Sequence, residues 1–417
     1  MMSPTTFVLG GHQTDFSRNF AREGVDLALV VGDTIDEALD AADLDAGDVE
    51  AIHVGNAFGE LFVQQAQMGA LPATARPALW GVPAARHEAA CASGSVALLA
   101  AMAELEAGRI DCALVVGIEQ ERNVPGDVAA RHMGTAAWTG HEGEGVRFLW
   151  PSMFAAIADE VDRRWGLDDR HLAAIAALNL GNARTNPNAQ ARGWSFSPEA
   201  FGAAWKDDAQ NPRIEGRLRR LDCGQVTDGV VAIVVTSPRF AAEREQRTGR
   251  ALDRIARITG WGHRTAGLGL ADKLARSREQ PYLLPHVRDA VTDAYRRAIV
   301  PGPDAIDGAE VHDCFTITEY VAIDHLGLTP PGQSWRAIED GTIARGGRFP
   351  INPSGGLIGA GHPVGASGVR MILDAARQVE GTAGDNQVDG ARRFLTLNIG
   401  GSATTACAFV VSRGGFG

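Results

Sequence analysis

The chain has 417 residues, a formal net charge of −12 at pH 7 and a hydrophobic content of 45%. This composition excludes an intrinsically disordered protein, and the acidic balance argues against a general attraction to nucleic acid or to an anionic membrane surface. No apolar run approaches the ~20 residues of a membrane-spanning helix, and the length predicts roughly two to three domains.

Strand and helix patterns alternate through the first 120 residues. Apolar residues at helical spacing predict helices, whereas short apolar or β-branched runs predict strands. The predicted elements are a strand at 5–14, a helix at 26–42, a strand at 49–57, a helix at 93–108 and a strand at 110–119. This alternation predicts an α/β sheet that is covered by helices on both faces.

A different region follows at 120–210, which is rich in Arg, Trp and Asn and has weak strand signals. Long excursions of this kind usually form lids or binding loops, so we expect a loop domain inserted in the first half. Residues 221–237 return to the character of a buried strand and close the first sheet. The segment 244–252 is charged and reads as a link to the second half.

The second half repeats the order of the first. DVEAIHVGNAF at 48–58 parallels DGAEVHDCF at 307–315, and each is followed by a turn with small residues. We therefore predict an internal duplication. The later elements are a helix at 284–300, a strand with its loop at 308–316, a helix at 365–381 and a strand region at 392–412. The predicted segments are 1–120 (N-terminal half), 121–210 (loop domain), 211–250 (end of the N-terminal half) and 251–417 (C-terminal half).

The cysteines indicate a reducing compartment. All five are far apart and no two form a Cys-x-x-Cys pair: Cys91, Cys112, Cys223, Cys314 and Cys407. Neither a disulfide framework nor a structural zinc site has this spacing. The N-terminal stretch has no basic segment followed by an apolar core, so it predicts no signal peptide. We expect a cytoplasmic protein.

The first candidate for chemistry is EAACASGSVALLAA at 88–101. Cys91 stands just before the small residues that open a helix, where unpaired amides are expected to lower the pKa of a thiol. The small neighbours would let a substrate carbonyl approach and let backbone N–H groups face a developing oxyanion. Cys91 is therefore a candidate nucleophile; the alternative is a buried structural cysteine.

The second candidate is INPSGGLIGAGHPVGASG at 351–368. It lacks the ending of a phosphate-binding P-loop and the spacing of a dinucleotide-binding fingerprint. Glycine permits tight turns and a close approach to a ligand, so the stretch is interpreted as a turn that presents His362. The alternative is an ordinary loop histidine with its hydrogen bonds satisfied.

The third candidate is VHDCFTITEY at 311–320, where His312 and Cys314 follow a strand. The alternatives are a histidine at a strand end, a small buried cysteine, or a zinc site, although no second pair at metal-ligand spacing supports zinc. Ligands of α/β sheets bind at the carboxyl ends of strands, so the three candidates are expected to meet there. A cysteine with a nearby histidine is the usual arrangement for covalent acyl transfer.

Four motifs in this order resemble the active-site loops of thiolases. They are CASG at 91–94, HDCFT at 312–316, GHPVGASG at 361–368 and NIGG at 398–401. LDCGQVTDGVVAIV and NARTNPNAQAR are also similar to thiolase sequences, so the resemblance covers nearly the whole chain. The HDCF form resembles the sterol-carrier-protein type thiolases and the archaeal acetoacetyl-CoA thiolases.

One departure from the common thiolase pattern concerns the proton transfer. Degradative thiolases carry Cys-x-Gly where this chain has Asn398, Ile399 and Gly400. The usual acid/base cysteine is therefore missing, and the resemblance to the HDCF subgroup implies that Cys314 takes over its role.

The resemblance implies a fold, an assembly and an activity. The fold is α/β, with two duplicated βαβαβαββ halves that form a five-layered α/β/α/β/α core with an inserted loop domain. The assembly is a homodimer or homotetramer, with an accessory lipid- or CoA-binding protein as an optional partner. The activity is that of an acyl-CoA C-acyltransferase, which condenses two acyl-CoA molecules or cleaves 3-oxoacyl-CoA with CoA. The alternatives are a ketosynthase-like decarboxylative condensing enzyme and a thiolase-fold steroid side-chain aldolase or complex subunit.

The resemblance also assigns roles to residues. Cys91 is the nucleophile, His362 takes its proton, and Cys314 handles the α-proton. His312 and His362 would hold the enolate oxygen, and the backbone N–H groups of Cys91 and Gly400 would hold the tetrahedral oxyanion. The expected supporting residues are Asn398 and Gly361, and the expected CoA-phosphate contacts are Arg217, Arg219 and Arg220. We expect no cofactor and no metal, because the CoA thioester is the substrate.

Overall fold

The computed structural model describes residues 5–201, 210–249 and 251–414. The ends of the predicted halves, part of the predicted loop domain (202–209) and one residue of the predicted link (250) lie outside the described residues. The strands are β1 Thr6–Gln13, β2 Ala51–Gly55, β3 Ala84–His87, β4 Cys112–Glu119, β5 Arg213–Glu215, β6 Leu218–Arg219, β7 Gly229–Thr236, β8 Ala256–Thr265, β9 Gly308–Val311, β10 Arg393–Gly400 and β11 Thr405–Arg413. The helices are α1 Phe20–Glu23, α2 Leu27–Ala42, α3 Gly59–Phe62, α4 Leu71–Ala75, α5 Ser93–Glu106, α6 Gly126–Gly134, α7 Leu149–Trp165, α8 Asp169–Ala183, α9 Pro238–Thr248, α10 Leu270–Arg276, α11 Pro285–Arg297, α12 Thr316–His325, α13 Trp335–Glu339, α14 Gly356–Gly359 and α15 Ser367–Glu380.

Across the described ranges, nine of these strands form one mixed sheet in the order β3-β2-β4-β7-β1-β8-β11-β10-β9. The order is pseudo-symmetric about β1 and β8, which run antiparallel to each other. Each side holds a parallel pair, β2 with β4 and β9 with β10, followed by an antiparallel partner. Ile351 bridges Ala309 in parallel at the far edge, where β3 stands in the first half. The repeated order confirms the predicted duplication.

Alternating layers of helix and sheet enclose separate hydrophobic cores. Helix α2 packs on the outer face of β1 and β7. Helices α5 and α15 lie between the two halves of the sheet, where their apolar residues form a central core. Helix α11 packs on β8 and β11 and contacts α12 in the opposite outer layer. The arrangement confirms the predicted five-layered α/β/α/β/α core.

The first turns of α5 and α15 meet in very close contact. A Cβ atom on Gly94 would lie 2.8 Å from the carbonyl oxygen of Gly365, and one on Gly368 would lie 2.5 Å from the backbone nitrogen of Ser95. Since real Cβ atoms do not approach this closely, glycine is required at both crossing points. The contact places the residues before the two helices, Cys91 and His362, side by side.

The described part of the predicted loop domain contains the helices α6, α7 and α8. Helices α7 and α8 pack against α12, and α8 also packs against α14. Residues 244–252, predicted as a charged link, differ from that prediction, because α9 continues through Thr248 and buries Arg244. No helix in the described part of the chain is both long and apolar enough to cross a bilayer.

Candidate active site

Cys91 follows a strained turn at the entrance to α5. Ala90 has a φ of 50°, a left-handed conformation that costs an L-residue roughly 1–2 kcal/mol. Ser93 stabilises the turn, because its hydroxyl accepts from the Ala89 backbone N–H at 2.9 Å and donates to the Ala90 carbonyl at 2.6 Å. The predicted position of Cys91 before a helix is confirmed. The left-handed turn at Ala90 could not be predicted from the sequence, because an alanine does not indicate a positive φ as a glycine would.

His312, Asp313 and Cys314 occupy the loop that follows β9. The Asp313 carboxylate accepts hydrogen bonds from the backbone N–H groups of Leu357 at 2.5 Å and Ile358 at 3.2 Å, and from Asn179 Nδ2 at 2.8 Å. Asp313 therefore ties this loop to the glycine-rich segment that leads to His362. The sequence left Asp313 without a role.

His362 presents a free ring nitrogen. Its Nδ1 lies 2.7 Å from the Ser367 hydroxyl, which itself donates its single proton to the Pro363 carbonyl at 2.9 Å. Because that proton is already used, the hydroxyl must accept from Nδ1–H, which leaves the lone pair on Nε2. His362 Nε2 is buried and has no hydrogen-bond partner among the described residues. His362 is thus set as a proton acceptor.

Two features of the backbone fix the position of His362. Gly361 has a φ of 115°, which favours glycine, so this part of the prediction for the glycine-rich turn is confirmed. The His362 backbone N–H donates to Thr227 Oγ1 at 2.9 Å. Thr227 therefore holds the backbone of His362, while Ser367 holds its ring at Nδ1.

His312 has the opposite tautomer. Asn398 Oδ1 accepts from the Ser95 hydroxyl at 2.8 Å, which orients the amide so that its Nδ2 donates to His312 Nδ1 at 3.2 Å. Since Nδ1 accepts, the proton of the neutral ring sits on Nε2. His312 is therefore a hydrogen-bond donor, and Asn398 is the residue that sets this state.

Cys91, His312 and His362 converge on one point. The Cys91 sulfur and one ring nitrogen of each histidine all lie within 4.8 Å of one another, and the two rings cross at 85° with centroids 5.3 Å apart. A metal ion could use such spacing, but it would need a lone pair where His312 carries an N–H. The arrangement fits proton transfer better than metal binding.

A cavity of ≈ 240 Å³ opens at this point. Cys91, Cys314 and His362 all line it, so the predicted nucleophile, base and acid/base thiol share one space. Most of the other side chains that line the cavity are apolar. Phe58, Phe315 and Val364 come from the two halves, and the region of the predicted loop domain contributes Met133, Phe148, Leu149, Trp150 and Phe154.

Burial keeps the reacting groups neutral. It raises the pKa of the Cys91 thiol to about 12, while the amides of Gly401 and Cys91 act in the opposite direction. The expectation that the helix N-terminus lowers this pKa is therefore wrong, because desolvation outweighs the amides. Burial and the charge of Arg370 lower the pKa of His362 to about 3. Burial raises the pKa of Cys314 well above its usual range, and burial with the neighbouring His362 lowers that of His312.

The loop after β10 contributes amides beside Cys91. Gly401 lines the cavity and its N–H acts on the sulfur, whereas Gly400 packs behind it, with its Cβ position 2.2 Å from the Ala89 carbonyl oxygen. The structure thus places Gly401, rather than the predicted Gly400, on the cavity wall. Lys273 holds this loop through Ser402 Oγ at 2.8 Å and Thr404 Oγ1 at 2.9 Å. Lys273 was missed because it lies about 130 residues earlier in the chain.

The segment 223–227 was also missed as part of the site. It was predicted as buried strand, but β7 begins only at Gly229. The Gly224 N–H donates to the Cys314 carbonyl at 2.8 Å, and Thr227 holds His362. The Gly-Gln-Val-Thr sequence before the apolar run was the available signal.

The three predicted CoA-binding arginines have different surroundings. Arg217 forms ion pairs with Asp159, Asp162 and Asp169, which use its charge within the protein. Arg219 is buried and donates to the Asn211 carbonyl at 2.7 Å. These contacts argue against phosphate binding by Arg217 and Arg219. Arg220 is exposed and lines a second cavity of ≈ 360 Å³, which shares Cys223 and Gln225 with the first, so its contact with CoA stays a prediction.

Comparison with known proteins identifies the family. The model of the thiolase N-terminal domain matches residues 6–197, and the thiolase C-terminal domain-like model matches residues 270–413. The chain is 31% identical to acetyl-CoA acetyltransferase of Methanothermobacter thermautotrophicus over 90% of this chain and 92% of that protein. It is 27% identical to sterol carrier protein 2 of Gallus gallus over 96% of this chain and 70% of that protein. A solved structure titled "Ltp2-ChsH2(DUF35) aldolase" shares the fold, with a TM-score of 0.75, 21% identity and 99% of both chains covered. The chain belongs to the thiolase superfamily.

Proposed function

We propose that this protein is an acyl-CoA C-acyltransferase that forms an acyl-enzyme on Cys91. The observation that carries the proposal is the free Nε2 of His362 in the cavity that holds the Cys91 thiol. A base that is anchored at Nδ1 and open at Nε2 is the partner that a neutral thiol nucleophile requires. The archaeal relatives named acetyl-CoA acetyltransferase support the same reaction class.

Before the cleavage of a 3-oxoacyl-CoA, the thiols of Cys91 and Cys314 are protonated and His362 is neutral. Cys91 attacks the 3-oxo carbon while its proton passes to His362 Nε2; the transfer accompanies the attack because separated charges are unfavourable in this buried cavity. The bond between C2 and C3 then breaks, which leaves an acyl group on Cys91 and the enolate of the shortened acyl-CoA. Cys314, a neutral thiol, supplies the proton to the enolate carbon.

The second half-reaction restores the starting state. Free CoA gives its thiol proton to the Cys314 thiolate and attacks the acyl-Cys91 carbonyl. The Cys91 sulfur leaves and takes back the proton from His362. The same steps in reverse condense two acyl-CoA molecules, so the proton balance holds in both directions.

Two groups of donors stabilise the negative charge. The Nε2–H of His312, together with protonated His362, would bind the enolate oxygen. Amides at Cys91 and Gly401 would bind the tetrahedral oxyanion. Loss of one such donor typically lowers the rate by about a hundredfold or more.

The direct test is CoA-dependent cleavage of 3-oxoacyl-CoA thioesters by the purified chain. We expect two acyl-CoA products and a covalent adduct on Cys91 when CoA is omitted, read by mass spectrometry of peptides. Malonyl-CoA serves as the comparison, because a decarboxylative enzyme would release CO₂ from it. Turnover of malonyl-CoA with no cleavage of 3-oxoacyl-CoA would contradict the proposal and favour the ketosynthase-like alternative.

The acylation step is expected to be insensitive to mild acid. Burial lowers the pKa of His362 from 6.5 to about 3, so the neutral, proton-accepting form persists far below the usual range of histidine. We predict that the rate of Cys91 acylation stays constant from about pH 8 to about pH 5. Stopped-flow or quenched acylation, read by mass spectrometry at each pH, measures it. A loss of half the rate near pH 6.5 would contradict this assignment.

A further inference from the structure

Glu121 is an acid in the cavity that the reaction does not use. It lies just beyond the end of β4, is 1% exposed, and lines the cavity that holds Cys91, Cys314 and His362. Neither of its carboxyl oxygens has a hydrogen-bond partner among the described residues. A buried carboxyl group without a partner is costly and calls for a functional explanation.

Two neighbouring acids show the contrast. The Glu119 carboxylate accepts from the backbone N–H groups of Ala57, Phe58 and Gly365 at 2.9–3.1 Å. Asp228 likewise accepts from backbone N–H groups, among them that of Glu121 itself at 2.7 Å. Each of these carboxyl groups accepts from backbone donors, although burial raises the pKa of both. Glu121 is the member of the cluster whose carboxyl oxygens have no partner within hydrogen-bonding geometry among the described residues.

The surroundings of Glu121 favour a neutral carboxylic acid. Burial raises its pKa well above the usual range, and the negative charges of Glu119 and Asp228 raise it further. The backbone amides of Val364 and Thr227 lie near the carboxyl and act in the opposite direction, although neither reaches the distance and angle of a full hydrogen bond. A neutral carboxyl group carries an O–H and can donate a hydrogen bond.

The free atom of His362 offers a parallel. Among the buried polar atoms without a partner in the described part of the chain, those on residues that line this cavity belong to Glu121 and His362. His362 leaves Nε2 free for the reacting thiol. By the same logic, the free carboxyl of Glu121 is available for an atom of the bound substrate. The mostly apolar lining indicates that the rest of that substrate group is a carbon chain.

We propose that Glu121 is a specificity-determining residue that donates a hydrogen bond to an oxygen on the acyl chain, beyond the two reacting carbonyl groups. The substrate class is then an acyl-CoA whose chain carries a hydroxyl or keto group. This inference rests on the proposed function for its substrate, although the binding test below does not depend on turnover. A site with an unpaired polar group rejects an analogue that lacks the matching atom.

The binding test uses CoA derivatives in which a methylene group separates the sulfur from the acyl carbonyl, so the acyl group cannot be transferred. Two probes with six-carbon chains are compared, one plain and one with a keto group on the penultimate carbon. Calorimetry with the unmodified chain should show at least about tenfold tighter binding of the keto probe. Equal binding of the two probes would overturn the proposal.

Two variants locate the effect. E121M removes the donor while it keeps a side chain of similar length, and it should remove the preference for the keto probe. E121Q is the matched control, because its amide N–H can still donate, and it should keep the preference. A preference that survives in E121M, or that is lost equally in both variants, would overturn hydrogen-bond donation by Glu121.

Stability provides a second measurement. Since the carboxyl has no partner to lose, E121M should melt at the same temperature as the unmodified chain or higher. A fall of several degrees would show that the carboxyl has a structural partner, which overturns the proposal.

Turnover assays with 3-oxoacyl-CoA distinguish the failure of the proposed function from the failure of the role of Glu121. Preference in binding without any cleavage would refute the proposed function alone, whereas cleavage without preference would refute the role of Glu121 alone.

Discussion

Replacement of Cys91 by alanine is expected to abolish both acyl labelling and turnover, with a rate loss of about 10⁴-fold or more. The physical reason is that the Cys91 sulfur lies within 4.8 Å of one ring nitrogen of each active-site histidine, so its proton has an acceptor in His362. Incubation with radiolabelled acyl-CoA, followed by peptide mapping, measures the label. Steady-state cleavage measures the turnover.

Cys112→Ala is the matched control for the labelling. Cys112 is buried in β4 and belongs to the outer core under α2, away from the cavity. Its loss should lower the stability by a small amount and leave one acyl group bound per chain. A stable acyl adduct in the Cys91→Ala protein, on Cys223 or Cys314 for example, would show that the nucleophile was assigned incorrectly.

Replacement of Cys314 by alanine is expected to separate the two half-reactions. The Cys91 thiol and its base His362 remain, so the acyl-enzyme should still form from a simple acyl-CoA. Condensation should fall by about 10²–10⁴-fold, the usual contribution of a general acid or base, because the α-proton has no acceptor. Labelling and condensation are measured on the same preparation, since the rate of condensation relative to the extent of labelling tests the role of Cys314 in transfer of the α-proton.

A Cys314→Ser variant serves as the comparison for Cys314→Ala. Serine keeps a hydroxyl near Thr318, whose Oγ1 lies 3.8 Å from the Cys314 sulfur, but it is a much weaker acid than a thiol. We expect it to condense as poorly as the alanine variant. Full condensation activity in either protein would mean that another group handles the α-proton, and His362 would be the first to examine.

The local elements could be predicted because their patterns are local. Apolar periodicity located α2, α5, α11 and α15, and continuous apolar runs located the buried strands. The duplication was visible in two similar segments, and the resemblance to thiolases implied the layered core. The helical character of the inserted region was not predicted, because α7 and α8 are stabilised by packing on α12 rather than by strong patterns of their own.

The candidate site could be predicted in part because several of its residues stand in local motifs. Cys91, His312, Cys314 and His362 stand in short motifs, and their order resembles that of a known family. Glu121 and Lys273 stand in no motif, so nothing local distinguished them from ordinary surface charges. The ion pairs of Arg217 could not be predicted either, because its three aspartate partners come from an earlier part of the chain.

The order of the motifs was enough to group Cys91, His312, Cys314 and His362 in one site, because it resembles the order of the active-site loops in one family. The protonation state of each group could be assigned only from the packed structure. The tautomers of His312 and His362 depend on Ser95, Asn398 and Ser367, and the neutral thiols depend on burial. Tautomers and pKa values follow from hydrogen bonds and desolvation between distant segments, which exist only once the layers have packed.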